Sequence, residues 1–158
     1  MEQLDCLNQV ADFHTTFRHP IEKLPIIPSK KRSKLRVELL TEELKELQEA
    51  ITNNDIVEVA DALCDIQYVL AGAILEFGLG DKFRKLFDEV QRSNMSKACA
   101  NIEEAEATVK HYFEKGHPSY YEKDGDLFLV YRTDDNKTLK SINYSPANLK
   151  AILENNFN

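Results

Sequence analysis

A chain of 158 residues that is 42% hydrophobic is long and apolar enough for one domain whose core needs no disulfide. Its 27 acidic residues outnumber 20 basic ones, giving a formal charge of -7, which excludes a general binder of DNA or RNA polymers. A phosphate-bearing ligand would meet repulsion here unless divalent cations offset it. The three cysteines, Cys6, Cys64 and Cys99, are odd in number and never spaced as CxxC, so they suit a reducing compartment and argue against a zinc site. Glu2, Asp5 and Asp12 interrupt any signal-like run, and the longest apolar stretch, near Tyr68 to Leu75, is too short to cross a bilayer. The expected address is the cytoplasm, with no membrane partner.

Residues 4 to 18 place Leu4, Leu7, Val10, Ala11 and Phe13 or Phe17 near helical spacing and predict an opening amphipathic helix. Pro20, Pro25 and Pro28 make the next segment a connector, after which Ser33 is the expected cap of a helix from about Lys34 to Ile51. A turn at Thr52 to Asp55 leads to a third helix, ending near Phe77 at the Gly78-Leu79-Gly80 signal. So short a turn predicts antiparallel packing. A fourth helix is expected from about Asp81 to Ala100, and Ile102 to Glu114 reads as a peripheral helix with a thin apolar face. Beyond Gly116, an Asp124-Gly125 turn between two β-prone runs predicts a hairpin, followed by the short run KTLKSI. Tyr144 to Phe157 reads as a terminal helix with Ser145 as cap and Pro146 at its first position. The expected fold is all-α: a four- to five-helix bundle with a small C-terminal β-hairpin and a terminal helix. It forms one domain over 1–158, with core helices at about 4–100 and an extension at about 101–158.

On the second helix Val37, Leu40, Leu44, Leu47 and Ile51 form an apolar stripe, while Glu42, Glu43 and Glu46 gather within roughly 100° of arc. Acids on an exposed helix are common, and this cluster alone reads as a solvated face. The third helix is more informative. Glu58, Asp61 and Asp65 occupy roughly 60° of a circumference that is otherwise mostly Ile56, Val57, Ala60, Leu63, Cys64, Ile66, Leu70, Ala71 and Ile74. Such a helix is expected to be buried, and it contains no Lys or Arg to pair its acids. Another helix or a cation must compensate; hard carboxylate oxygens from two antiparallel helices suit Mg²⁺ or Mn²⁺. Glu58 has a competing reading as the last member of a capping box begun by Asp55. The box explains neither Asp61 nor Asp65.

Glu43-x-x-Glu46 followed by Glu58-x-x-Asp61 resembles the signature of the all-α NTP pyrophosphohydrolases of MazG type. VADFHTTFRHP, RVELLTEELKELQEA, EVADALCDIQYVLAGAILEFGL and DEVQRSNMSK resemble, in that order, the short single-domain branch with phosphoribosyl-ATP pyrophosphohydrolase-like and dUTPase-like members. The resemblance implies that Glu43, Glu46, Glu58 and Asp61 hold Mg²⁺, with Mn²⁺ as a substitute. It also implies that water cleaves the α,β phosphoanhydride of a nucleoside triphosphate, giving a monophosphate and pyrophosphate. Glu42, or Glu43 itself, is the candidate base, Glu42 being alternatively a further metal ligand. Arg92, Ser93, Asn94 and Lys97 resemble the family's SNMxK segment, which implies substrate contact, against the plainer reading of a polar helix end. Lys140 is similar to a C-terminal Lys of the same branch, although the stretch from Ala98 to Asn136 is longer than the compact pattern.

His14 is either a lining residue of the nucleotide pocket, with Phe13, or part of the core. Asp65 and Tyr68 are candidates for supporting the ligands. Arg36 reads either as a phosphate contact or, the favoured reading, as a surface ion-pair partner for an acid on its own helix. The apolar third helix has more hydrophobic circumference than one neighbour can cover, so a homodimer or a dimer of dimers is expected. A di-iron carboxylate bundle would need Glu-x-x-His pairs, which the four histidines do not supply. The alternative from another class is a non-catalytic helical dimerisation module.

Overall fold

The computed structural model describes residues 4–154. The backbone divides into two compact units, Met1–Arg84 and Lys85–Asn158. Helices dominate, as the periodicity predicts: α1 (Cys6–Thr16), α2 (Lys30–Thr52), α3 (Ile56–Glu76), α4 (Gly80–Met95), α5 (Ile102–Glu114) and α6 (Leu149–Glu154). One antiparallel hairpin, β1 (Ser119–Asp124) with β2 (Leu127–Arg132), lies between α5 and α6. Among the described residues no single helix is long and apolar enough to cross a membrane.

In the first unit α3 is the central helix, packed against α2 and α1. Val10, Ala71 and Leu75 form its buried apolar centre, with Leu7 and Ala11 against them. The cap of α2 is Ser29 rather than Ser33: Ser29 follows Pro28 and accepts from the Arg32 amide at 3.4 Å. Ser33 already lies inside the helix, where its hydroxyl donates to the Pro28 carbonyl. The helix is therefore about a turn longer than its expected start at Lys34. Asp55 caps α3 through the amides of Val57 and Glu58. Gly78, at φ 66°, ends it, the Gly78 and Leu79 amides returning to Leu75 and Ile74. The connector covers this end: the Glu22 and Ile26 amides donate to the carbonyls of Leu75 and Phe77. A Cβ on Gly78 would sit 1.9 Å from the Leu24 carbonyl oxygen, so glycine is required there by both φ and space.

The expected apolar stripe of α2 is not buried within one chain. Val37, Leu44 and Ile51 are exposed, and on α3 so are Ile56, Val57, Leu63 and Leu70. The residues of α2 that are buried are Arg36 and Ala50.

In the second unit α5 is central rather than peripheral. Cys99, Ala105, Val130 and Leu139 form a buried cluster on which Val109, Tyr112, Tyr121 and Phe128 pack. Asn101 caps α5 by accepting from the Glu104 amide, while the Glu104 carboxylate accepts from the Ala100 amide. Asp124 pairs with Leu127, so the hairpin turns on Gly125 and Asp126, one residue later than expected, with Gly125 at φ 57°. The run after it adds a bridge, Tyr131 with Thr138, flanked by bonds from the Leu139 amide to the Val130 carbonyl and from the Arg132 amide to the Lys137 carbonyl. Ser145 and Pro146 precede the last helix instead of opening it. Asn148 accepts from the Ala151 amide at that start, and the expected residues 155–157 lie outside the described ones.

Candidate active site

Helices α2 and α3 run antiparallel, and three relationships mark their register. The Asp55 amide returns to the Ala50 carbonyl at the turn. Glu43 feels the charge of Asp65 in the middle, and Arg36 reaches Glu76 at the far end. In this register Glu43 and Glu46 on α2 share a region with Asp61 and Asp65 on α3. The Glu43 carboxyl is held above its ordinary range, first by burial and then by the charges of Asp65, Glu46, Glu42 and Asp61. Among the described residues none of Glu42, Glu43, Glu46, Glu58, Asp61 and Asp65 has a side-chain hydrogen bond or ion pair. Glu58 does not close the expected capping box, since Asp55 donates its amide to Ala50 instead. Its carboxylate is thereby left over for another task.

These acids form an electrostatic cluster and not a finished cage: among the described residues no three His, Cys, Asp or Glu side chains converge tightly enough to hold an ion as they stand. The donor chemistry fits a hard divalent cation, because several carboxylates face one another with no basic partner, and carboxylate rotamers can close on an entering ion. Glu42 and Glu46 also line an open concavity of about 560 Å³ with Val37, Thr41, Lys45 and Glu49, all on α2. One helix alone supplies its wall.

One turn or more toward the other end of the helix pair lies a buried basic network. His14 Nδ1 is 2.9 Å from the Pro20 carbonyl, which can only accept, so the proton sits on Nδ1. Nε2 then accepts from Arg36 Nη2 at 3.2 Å. The same Nη2 donates to Glu76 at 2.5 Å, and Arg32 completes the set with two bonds to that carboxylate. Burial would push Glu76 up, but the hydrogen bonds from Arg36 and Arg32 hold it below its ordinary range. Burial, aided by Arg36, holds His14 below 6.5 against the opposing Pro20 bond. Arg36 is thus a core residue paired with α3, and not a surface partner on its own helix.

His14, Arg32 and Arg36 of this network also line a cavity of about 200 Å³ together with Phe13, His19 and Tyr68. His14 both belongs to the core and lines this cavity, so its two readings meet in one residue. Sequence reasoning gave no role to Arg32, Glu76, His19 or Gly72. The available signals were an i, i+4 arginine pair on α2 and a lone acid, Glu76, closing the apolar C-terminal half of α3.

In the second unit Arg92 and Ser93 are committed to internal contacts. Arg92 makes two bonds to Glu89, drawing it down to about 2, and also donates to Ser145 Oγ and the Pro146 carbonyl. Ser93 is buried against the Tyr144 hydroxyl at 2.8 Å. Asn94 is exposed and Lys97 half-buried. Lys140 Nζ lies 4.2 Å from the centre of the Tyr144 ring, a cation–π contact.

The chain is similar to an uncharacterized protein of Acanthamoeba polyphaga mimivirus, 24% identical over an alignment of 236 positions covering 92% of this chain and 94% of the relative. Residues 10–94, from α1 to the last turn of α4, match the family described as phosphoribosyl-ATP pyrophosphohydrolase. The match takes in both acidic stripes and the basic network beside them. It implies a hydrolase acting on nucleotide pyrophosphate bonds. On this match, which spans more than half of its length, the chain belongs to the phosphoribosyl-ATP pyrophosphohydrolase family of the all-α NTP pyrophosphohydrolase superfamily.

Proposed function

We propose that this protein is a Mg²⁺-dependent nucleoside triphosphate pyrophosphohydrolase that accepts Mn²⁺ and cleaves the α,β phosphoanhydride bond to a monophosphate and pyrophosphate. The observation that carries the proposal is the set of acids on α2 and α3 that raise Glu43 and have no basic partner. Glu43, Glu46, Glu58 and Asp61 would hold the metal. A bound Mg²⁺ would neutralise triphosphate charge and acidify a water. Glu43, half-buried and held above its ordinary range first by burial and then by its acidic neighbours, is the candidate to take the proton of the attacking water, and exposed Glu42 then serves as an outer ligand. Asp65 adds charge behind Glu43, and Tyr68 stands one turn further along the same stripe of α3. Of the α4 candidates, Asn94 and Lys97 are proposed for substrate contact, as is Lys140, while Arg92 and Ser93 hold their own segment in place.

The working form is proposed to be a homodimer or a dimer of dimers. Val37, Leu44 and Ile51 recur every seven residues on α2, as do Ile56, Leu63 and Leu70 on α3, and both lines are exposed in the single chain. Seven-residue spacing of large apolar groups is the pattern by which helices of separate chains pack. A second copy would supply the missing wall of the concavity on α2. Three free cysteines fit a cytoplasmic setting.

The test is a panel of nucleoside triphosphates and phosphoribosyl-ATP incubated with Mg²⁺ or Mn²⁺, with monophosphate resolved from diphosphate. Monophosphate and pyrophosphate are expected, with turnover lost in Glu46→Gln. Orthophosphate release would refute the cleavage position. No turnover on any member of the panel would favour a helical dimerisation module, the reading that the exposed apolar lines alone would support.

A further inference from the structure

We propose that the connector between α1 and α2, together with the first turns of α2, is a docking surface for the anionic face of a lipid bilayer. This surface is separate from the acidic stripes and does not rest on the catalytic reading.

The sequence concentrates positive charge there. The fifteen residues from Lys23 to Val37 hold six of the chain's 20 basic residues and none of its 27 acidic ones. In a chain of formal charge -7 the segment thus has the sign opposite to the whole. Arg32 and Arg36 are bound to Glu76. Lys23, Lys30, Lys31 and Lys34 are exposed, and of these only Lys34 has an acidic partner among the described residues, Glu38 at 3.2 Å. Lys30 and Lys34 lie one turn apart on α2, with Lys31 on the adjoining stripe, so three of the four ammonium groups spread from one helix end.

The backbone sets apolar side chains beside them. The Glu22 and Ile26 amides donate to the Leu75 and Phe77 carbonyls, and the Leu24 carbonyl sits against Gly78, so the connector is held to the end of α3 through its main chain. Pro20, Pro25 and Pro28 stiffen the same stretch. With its backbone so committed, the segment presents Ile21, Leu24, Ile26 and Ile27 to solvent, Leu24 at 70% and Ile27 at 77% exposure. Single exposed aliphatic residues are ordinary, but four within seven positions, rimmed by lysines, mark an interaction surface.

An anionic bilayer uses both halves of this surface. Aliphatic side chains enter the acyl boundary while lysines keep their ammonium groups at the level of the phosphates. A nucleic acid would engage the lysines and leave Leu24 and Ile27 in water. Each lysine near an anionic surface strengthens attachment about fivefold, and the effect fades over a Debye length of about 8 Å, so the local sign of the patch outweighs the net charge of the chain. Such attachment needs no spanning helix. It departs from the expectation of no membrane partner, which rested on the lack of a stretch long enough to cross.

The test is flotation of the full chain, with chelator and without nucleotide, on vesicles of phosphatidylcholine alone or mixed with phosphatidylserine. Binding is expected to the mixed vesicles and not to the neutral ones, with release as salt is raised. Lys30→Gln with Lys31→Gln, and separately Leu24→Ser with Ile27→Ser, are each expected to weaken it about tenfold or more. All four positions are exposed, and helical circular dichroism confirms that the variants fold. No binding to mixed vesicles, equal binding to neutral ones, or unchanged binding in both folded variants overturns the proposal. A fall in particle mass by sedimentation velocity in the Leu24→Ser, Ile27→Ser protein also overturns it, because a second copy would then be what covers the connector. Vesicle binding is read without turnover, so loss of either reading leaves the other standing.

Discussion

A Cβ placed on Gly72 of α3 would lie 2.7 Å from Arg36 Nη1 and 3.0 Å from His14 Nε2, so the guanidinium fills space that any larger residue would need. Glycine inside a helix costs about 1 kcal/mol relative to alanine, and close approach of Arg36 is the reason to keep it. Gly72→Ala is expected to destabilise the protein by about 1–3 kcal/mol in spite of its better helix propensity, because Glu76 and His14 pin the arginine that would have to move. Urea denaturation of the two proteins measures this. A gain in stability would mean that the guanidinium moves aside easily.

Acid should act on the same network in two stages. His14 has its folded pKa below the unfolded value of 6.5, so its contribution is complete above that pH and is lost as pH falls through the lowered folded value. Glu76 is likewise depressed, and its contribution is present above 4.5 and lost as pH falls through its folded pKa. Glu76→Gln removes the carboxylate that, among the described residues, pairs buried Arg36 and half-buried Arg32, and is expected to cost about 3 kcal/mol at neutral pH. It should also flatten the loss of stability below about pH 4.5. Denaturation midpoints at about pH 4, 6 and 8 decide the matter; a variant curve parallel to the parent's would contradict it.

Asp61→Asn should have opposite effects with and without metal. It relieves repulsion on Glu43 and is expected to stabilise the metal-free protein slightly, by about 0.2–0.5 kcal/mol. Saturating Mg²⁺ should raise the melting temperature of the parent and not of the variant. Thermal scans across a Mg²⁺ series would show the two lines crossing.

Leu63→Glu places a charge in the middle of the exposed seven-residue line on α3. Sedimentation velocity is expected to show a dimer or larger species for the parent and a smaller one for the variant. A parent that sediments as a monomer at micromolar concentration would refute the proposed assembly.

Arg92 offers a contrast between holding the fold and binding substrate. Its bonds to Glu89 fix the carboxylate that accepts from the Asn148 amide. Arg92→Ala should speed hydrogen exchange at Asn148 and Ser145, and Arg92→Lys should restore little of the protection, since lysine cannot make the paired contact. Unchanged exchange would assign Arg92 to the ligand instead.

The gathering of acids around Glu43 was legible because its spacing is local. Glu58, Asp61 and Asp65 fall on one stripe by helix geometry alone, and the short turn at Thr52 to Asp55 brings Glu43 within reach of the charges of Asp61 and Asp65. Arg36 was misread for the converse reason: its partner Glu76 is forty residues away on another helix, and a pattern on one helix favours the nearest acid. The role of α5 was underestimated because part of its buried face is Ala105 and Thr108, which add little to an apolar count. Ser33 reads as the cap because it directly precedes the apolar periodicity; the path of the chain at Pro28 starts the helix a turn earlier, at Ser29.

The bond between His14 and Pro20 makes the length of a loop into chemical information. Pro20 can only accept, so the backbone decides which imidazole nitrogen carries hydrogen and therefore which one is left to receive Arg36. An insertion between residues 14 and 20, in a surface connector where length changes are ordinarily tolerated, would withdraw that carbonyl. The proton could then move to the face that meets the guanidinium, where two donors would oppose each other. The connector is thus constrained in length by the protonation it dictates three helices deep, and natural variation there should be sparser than its exposure suggests.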